Sequence, residues 1–178
     1  MPEKNETPLL SPKFALALQF ANEIHGTQQR KGLGAPYISH LMAVSASVLE
    51  HGGNEAEAIA ALLHDAAEAY LEDIPTPIKC VLWVDRACVM EPFHATELRV
   101  LDAVWQAMGL GEFAEHHAIH MADRIALATE ARDLMGGLTW PGMVATTEPV
   151  IEPLSPRAAR TQFLSMFRRL TAKASRIP

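Results

Sequence analysis

The stretch Asn54-Glu55-Ala56-Glu57-Ala58-Ile59-Ala60-Ala61-Leu62-Leu63-His64-Asp65-Ala66-Ala67-Glu68 opens as a helix and then carries charge into its apolar part. Asn54 is a good N-cap, and Glu57, three positions on, has the spacing of a capping box. The pattern predicts one helix from Asn54 to about Tyr70, with His64 and Asp65 in its middle, directly after one of the most apolar runs of the chain. A carboxylate buried there without a partner is costly, or shifts its pKa until neutral, so it calls for a compensating charge. A divalent cation supplies that charge and accepts imidazole nitrogen and carboxylate oxygen together. Glu68 lies four residues after His64 and three after Asp65, which on a helix puts it on the same face one turn later. A solvated His-Asp pair on a helix surface is the ordinary alternative, and the dipeptide alone does not separate the two.

Outward from this stretch the pattern stays helical. Residues 1–12 hold three prolines and no period, a loose arm. A helix is expected from Pro12 to about Arg30, with Phe14, Leu18, Ala21 and Ile24 on its apolar stripe, and a second from Ser39 to His51, stopped by Gly52-Gly53. Glu72-Asp73-Ile74-Pro75-Thr76-Pro77 reads as a loop, since two prolines so close cannot sit inside a helix. Further helices are expected over Ile78–Met90, Pro92–Met108, Glu112–Met135 and Pro156–Ala174. Residues 137–156 carry four of the twelve prolines and no period, a long loop of the kind that serves as lid or interface. The expectation is an all-α fold: a single-domain helical bundle of six or seven helices over residues 13–178. Apolar residues at 49% and charged residues at 20% are the composition of a folded globule, which excludes disorder over most of the length.

The charge balance, 15 Lys+Arg against 21 Asp+Glu for a net −6, argues against a nucleic-acid polymer as partner and against a basic membrane-surface helix. No run approaches the ~18 apolar residues of a membrane span. The N-terminus lacks a signal-peptide core, and Cys80 and Cys88 have neither zinc-ribbon nor redox spacing. A cytoplasmic location is expected. The apolar face of the last helix, with Phe163, Leu164, Phe167 and Leu170, suits a homodimer and a core equally well.

His64 and Asp65 have company. His40 follows Pro36-Tyr37-Ile38-Ser39 at the start of the second helix, and Asp123 sits in Met121-Ala122-Asp123-Arg124 within a long helix. This ordered set, H…HD…D in an all-α chain, resembles the HD-domain metal-dependent phosphohydrolases over roughly residues 14–135. The resemblance implies that His40, His64, Asp65 and Asp123 hold one divalent metal ion. Ligands of mixed N and O character do not choose firmly among Mn, Fe, Co, Zn and Mg, with a slight preference for Mn²⁺, Co²⁺ or Mg²⁺.

Two branches of that family leave marks. Phe20-Ala21…His25…Gln29-Arg30-Lys31 and then Pro36-Tyr37-Ile38…His40 is similar to the opening of the alarmone (guanosine-tetraphosphate) hydrolases, which follow the HD pair with Glu-Asp where this chain has Glu68-Ala69. His64-Asp65-Ala66-Ala67-Glu68, then Asp73-Ile74-Pro75-Thr76-Pro77-Ile78-Lys79, resembles the bacterial 5′-deoxynucleotidases, and implies catalytic roles for Glu68 and Asp73 near the attacking water and the substrate. The expected activity is metal-assisted hydrolysis of a small phosphate ester, foremost a (deoxy)nucleoside 5′-monophosphate. Cleavage of an alarmone diphosphate and a non-catalytic nucleotide sensor are the alternatives.

Chemistry adds roles to this set. Glu68 could orient or deprotonate the water as general base. Arg30 and Lys31 could bind the phosphate, or simply complement a helix C-terminus. Asp73 could bind a substrate hydroxyl or cap the proline turn. His120 could line the pocket one turn before Asp123, whereas His116, His117, His51 and His94 read as solvated and His25 as a core histidine. Glu130, seven residues after Asp123, reads as the partner of an arginine, and Trp140 as buried packing.

Overall fold

The computed structural model describes residues 35–71, 74–108, 110 and 117–174. Within them the chain forms α1 (Tyr37–Glu50), α2 (Glu55–Leu62), the short α3 (Glu68–Leu71) and α4 (Thr76–Lys79), strands β1 (Trp83–Arg86) and β2 (Val89–Pro92), α5 (Phe93–Ala107), α6 (His117–Leu134) and α7 (Pro156–Ala174). The all-α expectation holds, with one small hairpin added. The helix expected over 12–30 lies outside the described residues. No described helix is long and apolar enough to cross a membrane.

Helix α1 is the centre of the bundle and packs against α2, α6 and α7. Its buried stripe, Ile38, Leu41, Val44 and Val48, meets Ala58, Ile59, Ala61 and Leu62 of α2, Ala122 and Ala126 of α6, and Phe163, Phe167 and Leu170 of α7. Alanines on α2 and α6 let the backbones approach closely, while the two α7 phenylalanines supply the bulk of the filling. Between α1 and α2 the turn is tight. Gly52 has φ +89, and the Gly53 N–H donates to Val48 O at 2.8 Å, where a Cβ on residue 53 would collide. The expected capping box is present, with Asn54 Oδ1 accepting from Glu57 N–H and Glu57 Oε2 accepting from Asn54 N–H.

Two expectations about helix extent are overturned. The helix from Asn54 does not run on to Tyr70. It ends at Leu62, and residues 63–67 turn through i→i+3 bonds, Leu63 N–H to Ala60 O at 3.0 Å and Ala66 N–H to Leu63 O at 3.0 Å, before α3 begins. From this turn His64 and Asp65 reach the same place, His64 Nε2 lying 3.3 Å from Asp65 Oδ1. Nor is there a helix over Ile78–Met90. After α4 the chain forms an antiparallel hairpin with Trp83 opposite Pro92 and Arg86 opposite Val89. Its two turn residues, Ala87 and Cys88, both have positive φ (50 and 72), the requirement of the turn type that matches strand twist. Asp85 Oδ1 accepts from Cys88 N–H at 2.8 Å and holds that turn. Glu91 pairs with Arg99 and accepts from Thr96 Oγ1, tying the hairpin to α5.

Residues 138–155 contain neither helix nor strand and run back along α6, held by that helix's own side chains. Arg124 donates to Gly142 O at 2.7 Å, Thr129 Oγ1 meets Thr146 Oγ1 at 2.7 Å, and Arg132 donates to Glu148 O at 3.1 Å. Asp133 Oδ2 accepts from Ile151 N–H at 2.8 Å. Trp140 is 41% exposed rather than buried, so its expected packing role is not realised.

The hydrogen bond from Arg132 holds the Asp133 carboxyl at about 2, down from 3.8. A depressed folded-state pKa contributes anchoring that is complete above the ordinary value and fades as pH falls toward the folded one. Cleavage of 138–155 by pepsin is therefore expected to rise as pH drops from 4 toward 2, and Asp133→Asn should remove that dependence. Equal cleavage of the wild type across this range would show that Asp133 does not anchor the segment.

Candidate metal centre

His40 enters from the first turn of α1, His64 and Asp65 from the turn after α2, and Asp123 from α6. These three elements meet at the core and bring His40, His64 and Asp65 together, with Asp123 joining through the two histidines. His40 Nε2 lies 3.1 Å from Asp123 Oδ1, His64 Nε2 3.8 Å from the same oxygen, and His64 Nε2 3.3 Å from Asp65 Oδ1. Donor atoms of His40, His64 and Asp65 all fall within 4.8 Å of one another. The imidazole centroids are 5.4 Å apart. Ligands about 2.1 Å from a common ion stand about 3–4 Å from each other, so the spacing suits a shared cation.

Exposure gives the cluster a direction. The His40 and His64 side chains are 1% and 10% exposed and form its floor, while Asp65 and Asp123, at 23% and 27%, form a rim that solvent reaches. His64 Nδ1 bonds Ala61 O at 2.7 Å, which aims Nε2 inward. That Nε2 is buried with no hydrogen bond of good geometry, an orphaned ring nitrogen among carboxylates. A buried polar atom left so is unusual, and a metal ion is the partner its surroundings fit. Burial acts to lower the His64 pKa, but the charges of Asp65 and Asp123 outweigh it and push the imidazole up to about 9. Burial likewise acts to raise Asp65 and Asp123, yet the two imidazoles hold both carboxyls below their ordinary value. The field at this point strongly favours positive charge.

Three neighbours complete the arrangement, and the sequence reading gave none of them its place. Glu130 bonds His40 Nδ1 at 3.0 Å, with both side chains buried, a histidine contact that the sequence pattern did not point to. The Tyr37 hydroxyl donates to Asp65 Oδ2 and lies 3.0 Å from Glu68 Oε2. Lys79 Nζ, from the end of α4, lies 3.0 Å from Glu68 Oε1 and 2.6 Å from Glu97 Oε1 of α5. Glu68 reaches this place from the start of α3, not from a continued α2. Tyr37 stood inside a quoted motif and Glu130 on the Asp123 face, so both had a positional signal. Lys79 had its place in the proline loop and nothing more.

Arg30, Lys31 and Asp73, with His25 and His116, lie outside the described residues. His120 is exposed. His117, His51 and His94 are exposed as expected.

Residues 17–81 match the HD domain family. The chain is 34% identical over 119 residues to the uncharacterized protein YfdR of Escherichia coli (strain K12), covering 64% of this chain and 62% of that one. Over 61 residues it is 48% identical to a guanosine-3′,5′-bis(diphosphate) 3′-pyrophosphohydrolase of Aquifex aeolicus (strain VF5), covering 34% of this chain and 9% of that enzyme. Over 52 residues it is 44% identical to a probable enzyme of the same name from Synechocystis sp. (strain ATCC 27184 / PCC 6803 / Kazusa), covering 29% and 7%. The chain thus spans less than two thirds of the length of these curated relatives.

Replacing Tyr37 with phenylalanine keeps the buried ring but leaves Asp65 Oδ2 without its donor. A loss of about 1–3 kcal/mol is expected in urea unfolding with chelator present, the cost of an unsatisfied, partly buried charged group. Unchanged stability would show that water replaces the hydroxyl freely.

Proposed function

We propose, for a chain that belongs to the HD-domain superfamily, that this cluster serves metal-dependent hydrolysis of a small phosphate ester, foremost a (deoxy)nucleoside 5′-monophosphate. The observation that carries the reading is the convergence of His40, His64, Asp65 and Asp123 around an orphaned His64 Nε2. These four residues are the proposed ligands of one divalent ion. A bound ion would polarise the phosphoryl oxygen and acidify a water.

The chain's own residues supply the rest. The exposed rim on the Asp65 and Asp123 side leaves open positions for water and phosphate. Glu130, accepting from His40 Nδ1–H, would favour the tautomer whose Nε2 can bind an ion in place of its present contact with Asp123. Tyr37 sets the Asp65 carboxylate through Oδ2 and leaves Oδ1 toward the cluster. Glu68 is the proposed general base: it takes the proton of the attacking water as the new P–O bond forms, and the ester P–O bond breaks with the leaving alkoxide taking a proton from solvent. Arg30 and Lys31 are the proposed phosphate contacts and Asp73 the proposed contact to a substrate hydroxyl.

The nucleotidase reading rests on the segment from His64 to Lys79. A second reading, removal of pyrophosphate from an alarmone, draws on the local identity to the two pyrophosphohydrolases. Orthophosphate or pyrophosphate as product separates them.

The test is product release from a panel of nucleotides with Mn²⁺, Co²⁺ or Mg²⁺, alongside calorimetric Mn²⁺ binding. Release is expected to need metal, to vanish in Asp65→Ala, and to fall about 10²–10⁴-fold in Glu68→Gln. Tight metal binding with no turnover on any substrate would turn the reading to a nucleotide sensor, and absence of metal binding would overturn it. In the same titration Glu130→Leu should weaken Mn²⁺ by about 10–100-fold, the usual cost of losing a carboxylate that orients a ligand histidine. Wild-type affinity in that variant would mean His40 needs no such support.

A further inference from the structure

The proline loop before the hairpin ends in a lysine that neither the cluster nor its proposed ligands account for. Ile74-Pro75-Thr76-Pro77-Ile78-Lys79 closes on itself, with Ile78 N–H donating to Pro75 O at 2.8 Å and Lys79 N–H to the same oxygen at 3.0 Å. This single turn turns Lys79 back toward α3. Its Nζ stands 3.0 Å from Glu68 Oε1 and 2.6 Å from Glu97 Oε1. The three side chains are only 13–19% exposed, so the contacts are sheltered from solvent. Burial acts to lower the Lys79 pKa, but the hydrogen bonds it donates to Glu97 and Glu68 outweigh it, so the group stays an ammonium.

We propose that Lys79, held by Glu97, is a positioning residue that fixes the Glu68 carboxylate for catalysis; this rests on the reading of Glu68 as general base. Two facts argue for positioning over phosphate binding. The ammonium already lies between two carboxylates, a set with net negative charge that does not attract a phosphate. And the grip is complementary: Lys79 holds Oε1 while Tyr37 lies 3.0 Å from Oε2, so the carboxylate is caught at both ends. A glutamate side chain has three rotatable bonds, and here the contacts at its two oxygens set them. The shorter Glu97 contact makes α5 the fixed point from which the grip is exerted.

Steady-state kinetics of Lys79→Met, Lys79→Arg, Glu97→Gln and Glu68→Gln test this, with Mn²⁺ affinity and thermal unfolding measured on each. Lys79→Met should lose about 10–100-fold in kcat, the scale of a misplaced catalytic group, with KM and Mn²⁺ affinity within about two-fold of wild type. Lys79→Arg, which keeps a bridging cation, should recover most of that loss. Glu97→Gln should cost less, and nothing further when added to Lys79→Met, because it acts through the lysine. Wild-type kcat in Lys79→Met beside an inactive Glu68→Gln overturns the positioning role and leaves the base intact. Loss of kcat, metal affinity and folding together in Lys79→Met, without rescue by arginine, also overturns it. Full activity in Glu68→Gln removes the base and this inference with it.

Discussion

Two carboxylates and two imidazoles drawn out of water beside one another impose the constraint from which the rest of the architecture follows. Each group alone would be costly to bury, and each is stabilised because an oppositely charged neighbour stands within about 3–4 Å. Meeting that distance requires three separate elements to end or cross at one place. Helix α1 must begin there, α2 must stop there, and α6 must pass with the right face inward. The alanines that line α2 and α6 follow from this, since larger side chains would hold the backbones too far apart for short acidic side chains to reach.

The same constraint breaks α2. Helix propensity favours continuing through Ala66 and Ala67, and nothing local forbids it. Tertiary context overrides it, and the chain turns through i→i+3 bonds from Leu63 to Ala67, where His64 and Asp65 meet. The His64 ring then closes the helix end by bonding Ala61 O, so a single side chain ends the helix and aims its own orphaned nitrogen.

Local signals were legible in the sequence and long-range ones were not. The Asn54–Glu57 box and the span of the last helix, Pro156 to Ala174, are set by residues three or four apart, and the structure reproduces both. The residues His40, His64, Asp65 and Asp123 were visible as polar interruptions of apolar runs, and they do converge. Their roles as ligands remain part of the proposed function. The bond between Glu130 and His40 spans 90 residues, so no local pattern could announce it. Tyr37 and Lys79 were read as motif letters, since the groups they touch lie across the bundle or around a turn. The hairpin escaped because Ala87-Cys88 carries none of the Asn-Gly signal that announces such turns, and its four-residue strands are too short to show alternation.

Helix α6 is used on more than one side. Asp123 and Glu130, seven residues apart and so nearly superposed along the axis, face the cluster. Arg124, Thr129, Arg132 and Asp133 fan around the rest of the helix and carry the irregular segment 138–155. One residue inserted between Asp123 and Glu130 would rotate everything beyond it by about 100° and put both sets out of phase together. The hairpin tip has no such double duty. Length variation in descendants of this sequence would therefore be tolerated at Ala87-Cys88 and purged from α6, which makes that helix the molecule's fixed ruler.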